Sequence, residues 1–126
     1  MGPPLRKVPF MSDGFMKRLM HGTMASVSGE HCSVVDVRDV AFAHLQAVKV
    51  PEAANRRFIL VHSSPSMQEY AEPVIRKYAP LGWPITRNKT TPNHKEYVSL
   101  FDNRASREIL GVTYTDFAKT MLDMAE

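Results

Sequence analysis

Short β-branched runs alternate along this chain with stretches whose apolar side chains recur every three to four residues, the pattern of an α/β fold. The first helical stretch opens at Ser12-Asp13, places Phe15, Met16, Leu19 and Met20 on one face, and closes before Gly22. Thr23–His31 is polar and predicts a loop. Val34-Val35 then suits a covered strand, and Asp36 is placed to cap a helix, with Asp39 in its favourable first turn. Val37, Val40, Ala41, Leu45 and Val48 give that helix an apolar face, and Pro51 stops it. His44 lies one turn past Val40, so a buried, hydrogen-bonded histidine is expected there. Arg57–His62 is a continuous apolar run between turn signals, as a covered parallel strand would be.

The second half repeats the alternation. Ser66 and Glu69 have the spacing of a capping box, and Met67, Tyr70, Ala71, Val74, Ile75 and Tyr78 hold a helical period for three turns. Pro73 interrupts it and is expected to kink the helix or delay its start. Residues from Pro80 to Pro92 are turn-rich, with short strands expected at Pro84–Arg87 and Tyr97–Phe101. Asp102 or Asn103 then caps a helix over Arg104–Leu110, closed by Gly111, and Thr115-Asp116 opens a last helix with Phe117, Met121 and Met124 on one side. The opening Gly2–Met11 holds Pro3, Pro4 and Pro9 and reads as extended loop. With no repeats, 1–126 reads as a single domain.

Composition narrows the classes. An apolar fraction of 44% and a charged fraction of 23% suit a globular protein, and no apolar run approaches the ~18 residues of a membrane span. The single cysteine, Cys32, excludes an internal disulfide and fits a reducing compartment, the cytoplasm. Arg6, Lys7, Lys17 and Arg18 resemble weakly a basic targeting peptide, which makes the mitochondrial matrix the alternative. The net charge of +3 comes from dispersed pairs such as Arg56-Arg57 and Arg76-Lys77, so no nucleic-acid partner is expected. His31-Cys32 are adjacent and His21, His44, His62 and His94 fall in separate elements, which lacks the two-to-four-residue ligand spacing of zinc sites. No metal is expected. Cys32 as a nucleophile would need a base to form its thiolate, and His31 beside it in sequence is the only local candidate.

The order of residues is more specific than their pattern. Val35-Asp36-Val37-Arg38-Asp39-Val40-Ala41-Phe42-Ala43-His44 resembles a "V-D-V-R-D-V-A-x-A-H" signature. Gly2-Pro3-Pro4-Leu5 is similar to "G-P-x-L", and the helix from Ser12 to Met20 to the one that follows it. Pro51 to Leu60 is similar to "P-x-A-x-G-R-[YF]-[IL]", with Asn55 where Gly is usual, and Arg104 to Gly111 to a helix ending "L-G". Together, in this order, they resemble the C-terminal part of plant-type extended short-chain dehydrogenase/reductases: dihydroflavonol reductase, anthocyanidin reductase, cinnamoyl-CoA reductase and their relatives. The implied fold is α/β, an outer parallel strand plus a helical substrate-binding region, with the nucleotide-binding half absent.

That resemblance also says what to look for. Family members hold NAD(P)H on a "G-x-x-G-x-x-G" turn, but the six glycines here never come closer than seven apart. Their catalytic pair is a Tyr with a Lys four residues on, whereas Val74, Gly82, Phe101 and Ala118 follow Tyr70, Tyr78, Tyr97 and Tyr114 at that distance. No catalytic residue is therefore expected in this chain, and no cofactor for the chain alone. By the resemblance, Ser12 falls at a cofactor-contacting serine and Ser33 at a substrate-facing position. Met11, Phe15 and Met20 are candidates for the pocket wall, with loops Pro3–Met11 and Thr23–Cys32 beside it. The expected role is the substrate-binding portion of an NAD(P)H-dependent carbonyl reductase. The alternative is a degenerate relative acting as a structural or interaction subunit. Arg57–His62, an apolar strand lacking its parent neighbours, is expected to pair with a second copy or a larger assembly.

Overall fold

The computed structural model describes residues 1–3, 11–91 and 100–126. The Gly2–Met11 loop and the Tyr97–Phe101 strand therefore lie largely outside the described residues. Within them the order is α1 (Met11–Met20), β1 (Val27–Ser28), α2 (Val37–Lys49), α3 (Met67–Tyr78), β2 (Lys89–Thr90), α4 (Arg104–Glu108) and α5 (Phe117–Ala125).

Local chemistry sets most of the helix ends. At the end of α1 the Gly22 N–H donates to Leu19 O at 3.2 Å and the Thr23 N–H to Arg18 O at 3.1 Å, a paired closure that requires the left-handed φ of +66° at Gly22. A Cβ on Gly22 would sit 1.9 Å from Pro84 O, because the segment after Trp83 clamps onto this helix end. Thr86 completes the clamp, donating its N–H to Leu19 O at 3.1 Å and its hydroxyl to Met24 O at 3.1 Å. Both bonds of the Ser66–Glu69 capping box are present at α3, and Asp116 caps α5 through the Lys119 N–H. Helix α3 starts at Met67 and continues through Pro73, so the late start does not occur. Asn55 adopts φ +57°, the left-handed geometry that its place in a usual glycine position implies.

The main core lies among α1, α3 and α5. Tyr70 is fully buried at its centre, edge-on to Phe15 at 6.4 Å and to Phe117 at 5.3 Å, with Leu19, Val74 and Met121 around it. A smaller cluster of Ala43, Ala53, Leu110, Val112 and Tyr114 lies under α2. Two acids at the start of α2 tie these parts together. Asp36 accepts the Thr120 hydroxyl of α5 at 2.8 Å, and Asp39 accepts the Thr115 N–H at 2.8 Å and hydroxyl at 2.7 Å.

Several expectations are corrected. The sheet is β1 paired parallel with β2, Val27 opposite Lys89, although 23–31 reads as loop and the later strand was expected over Pro84–Arg87. Two-residue strands carry too little alternation to be read. Val34 is buried but forms only a single antiparallel bridge, to Ser63. Arg57–His62 forms no ladder: the His62 N–H donates to Val34 O at 2.7 Å, while none from Arg57 to Val61 donates to another described backbone group. A parallel strand needs a neighbour, and the described residues supply none. Finally, α2 buries Asp39 and Ala43 and leaves its apolar face open, with Phe42 42%, Leu45 52% and Val48 88% exposed. His44 is exposed too, its Nδ1 2.8 Å from Val40 O, because nothing described covers that side.

Candidate functional site

Helix α1 positions most of the residues expected at a pocket. Met11 is 96% exposed at its first position, and Ser12 is half-buried in its first turn. Phe15 and Met20 are buried in the core, where Phe15 packs on Tyr70. Ser33 lies in the loop before α2, its Oγ 3.0 Å from Ser64 Oγ. Met11 and Phe15 lie one turn apart on the same side of α1, but Met11 is its first residue and is exposed, whereas Phe15 is buried in the core.

A concavity among the described residues lies elsewhere. A groove of about 940 Å³ runs between α3 and α5, closed at one end by Ser63, Ser64 and Pro65. Pro65, Pro73, Phe117, Ala118 and Leu122 give it an apolar floor, and His31, Glu69, Glu72, Arg76 and Lys77 a charged rim. The volume is in the range of small-molecule sites. His31 is held by its loop, with Nδ1 2.8 Å from Ser64 O, so that nitrogen carries the proton it donates to the carbonyl. Glu69 accepts the Ser66 N–H at 2.7 Å and hydroxyl at 2.9 Å, and those bonds hold its carboxyl below the usual range. Lys77 pairs with Glu126 at 2.8 Å, which raises its ammonium. Among the described residues Arg76 pairs with Glu72, one turn back, at 3.9 Å.

The groove is assembled from residues 31, 63–65, 69–77 and 117–122, which only the fold brings together.

The residues described do not fit a dinucleotide. A pyrophosphate is gripped by backbone N–H groups at a helix start with a glycine-rich turn. Here each of the longer helices presents an acid at that end: Asp13 in α1, Asp36 and Asp39 in α2, Glu69 in α3 and Asp116 capping α5. The Asp36 carboxylate is 1% exposed. Burial pushes its pKa up, but hydrogen bonds from the Arg38 side chain and N–H and from Thr120 outweigh that and hold it at about 2. A phosphate brought to that helix end meets a fixed negative charge. Nor do Tyr70 and Tyr114 fit a proton donor to substrate. Tyr70 donates to Cys32 O at 2.9 Å, and burial raises its phenol well above the ordinary value. Tyr114 is buried with its hydroxyl 2.7 Å from Ser106 Oγ. Cys32 is exposed, and no cluster of three or more His, Cys, Asp or Glu side chains suited to a metal occurs among the described residues. No described helix is long and apolar enough to cross a membrane.

Comparison with known proteins bears on the same question. No family model matches the sequence. The chain is 38% identical over 82 residues to the ketoreductase azaE of Aspergillus niger, covering 65% of this chain and 24% of that protein. It is 30% identical over 97 residues to the NADPH-dependent methylglyoxal reductase GRE2 of Saccharomyces cerevisiae, covering 72% of this chain and 27% of that protein. The chain therefore spans about a quarter of the length of these curated relatives. Its fold superposes on the crystal structure of yeast methylglyoxal/isovaleraldehyde reductase Gre2 complexed with NADPH with a TM-score of 0.74 at 24% identity, covering 98% of this chain and 42% of that one. Relatives and structural neighbours are thus NAD(P)-dependent reductases, and the α/β fold expected from the sequence is that of the C-terminal portion of such structures.

Proposed function

We propose that this chain forms the C-terminal, substrate-facing portion of an NADPH-dependent carbonyl reductase, and that the groups holding the cofactor and donating the proton lie outside it. The observation that carries this reading is an open side in a reductase-like fold. Helix α2 turns Phe42, Leu45 and Val48 outward, and the amides from Arg57 to Val61 have no ladder partners among the described residues. Such a surface is an association site for a strand and an apolar face. Its partner in this reading is the nucleotide-binding part of a reductase, joined to this chain or supplied by another. Substrate is a carbonyl compound. Methylglyoxal and isovaleraldehyde, named for the yeast relatives, set the small end of that class, and the Val35–His44 likeness to dihydroflavonol reductases extends it to flavonoid ketones. The lone exposed Cys32 supports a reducing compartment, the cytoplasm or the mitochondrial matrix.

Loss of NADPH absorbance with methylglyoxal, isovaleraldehyde or dihydroquercetin tests the division of labour, together with calorimetric titration of NADPH. The purified chain is expected to show neither turnover nor low-micromolar cofactor binding. Proton transfer by a placed acid is worth ~10²–10⁴-fold and orientation adds more, so a competent site would be visible at once. Turnover by the chain alone, or tight NADPH binding, would overturn the assignment.

A further inference from the structure

We propose that the groove between α3 and α5 is a binding site for a small amphiphilic carboxylate, with its apolar body on Pro73, Phe117, Ala118 and Leu122 and its carboxylate on Arg76. The site is separate from α1 and from the open face of α2, and the inference does not depend on the reductase reading. Three observations converge on it. The volume of about 940 Å³ more than accommodates a chain of roughly ten carbons, and the floor is built of prolines, an aromatic ring and aliphatic side chains with no buried side-chain polar atom left unsatisfied among the described residues. The rim carries charges of both signs, held to different degrees. Glu69 is spent on capping α3 through two bonds to Ser66, and Lys77 is paired with Glu126 and lies 4.9 Å above the Tyr78 ring. Arg76 alone is loosely held: its contact with Glu72 is 3.9 Å long, and its side chain is 81% exposed. An exposed pair one helical turn apart is weak, so a carboxylate displaces it readily and gains the paired geometry a guanidinium offers.

The test is a nuclear magnetic resonance titration of the 14.2 kDa chain with decanoate, kept below its aggregation concentration, beside decanol and decyltrimethylammonium. Decanoate is expected to shift signals of Arg76, Phe117, Ala118 and Leu122 saturably, with a Kd of about 0.1–1 mM for a ligand of this size. Decanol and the ammonium should bind at least five-fold more weakly. Arg76→Gln, a surface change remote from the core, should weaken decanoate at least five-fold and leave decanol unchanged. Ala118→Trp should fill the floor and abolish all binding, with far-ultraviolet circular dichroism confirming the fold. Equal affinity for the three head groups, an Arg76→Gln variant that binds decanoate as before, or shifts confined to Phe42, Leu45 and Val48 would each overturn the proposal. So would the absence of any saturable shift.

Discussion

Asp36→Asn isolates the contact that joins the start of α2 to α5. The carboxylate receives the Arg38 N–H at 2.8 Å, the guanidinium at 2.8 and 2.7 Å, and the Thr120 hydroxyl at 2.8 Å. Asparagine keeps the shape and one acceptor, so the helix cap survives, but its amide N–H groups face donors on Arg38 or Thr120. Removing one partner of a buried pair costs about 3–5 kcal/mol when the other charge is stranded. Arg38 is not stranded: its side chain is 40% exposed and it also contacts Asp123 at 2.6 Å. A loss of about 2–3 kcal/mol is therefore expected, read from urea unfolding by circular dichroism. The acid limb supplies a second readout. A carboxyl held at about 2 in the folded chain against 3.8 unfolded contributes stability that is complete above about pH 5. That contribution, about 2 kcal/mol, is lost as the pH falls through the unfolded and then the folded value. The variant should lack this portion of the acid sensitivity. A loss below about 0.5 kcal/mol, or an unchanged acid limb, would refute the reasoning.

Three further outcomes follow from the same geometry. Asn55→Gly should be neutral or slightly stabilising and Asn55→Ala should cost about 1 kcal/mol by thermal unfolding, because φ is +57° there. Gly22→Ala should cost more than Asn55→Ala in the same measurement, since strain at φ +66° is joined by a clash 1.9 Å from Pro84 O. Leu45→Glu should leave the unfolding midpoint of the dilute chain within about 0.5 kcal/mol while reducing self-association or docking in light scattering, because the side chain is 52% exposed.

What was legible in the sequence is what short-range chemistry decides. The caps at Asp36, Ser66 and Asp116, the Gly22 closure and the left-handed Asn55 each depend on residues within about one turn, and all are present. The α1 face read as Phe15, Met16, Leu19 and Met20 is the face that the core buries. Periodicity failed for α2 for an instructive reason. It identifies a face built to be covered, and Val48 at 88% exposure shows a face with no cover among the described residues. Arg57–His62 failed in the same way, because composition marks a strand whereas a ladder requires a neighbour. The groove was illegible because His31, Pro73 and Leu122 meet only after α3 and α5 have packed.

The central claim, that this chain completes a reductase through the open side of α2 and Arg57–Val61, is tested most directly in a chimera. The 42% of the yeast methylglyoxal reductase structure that superposes on this chain is replaced by it, and amide hydrogen exchange is compared with that of the free chain. The account predicts that the chimera binds NADPH and reduces a carbonyl substrate, and that the amides from Arg57 to Val61 become strongly protected. A chimera that folds and binds NADPH yet leaves those amides exchanging as fast as in the free chain would contradict it.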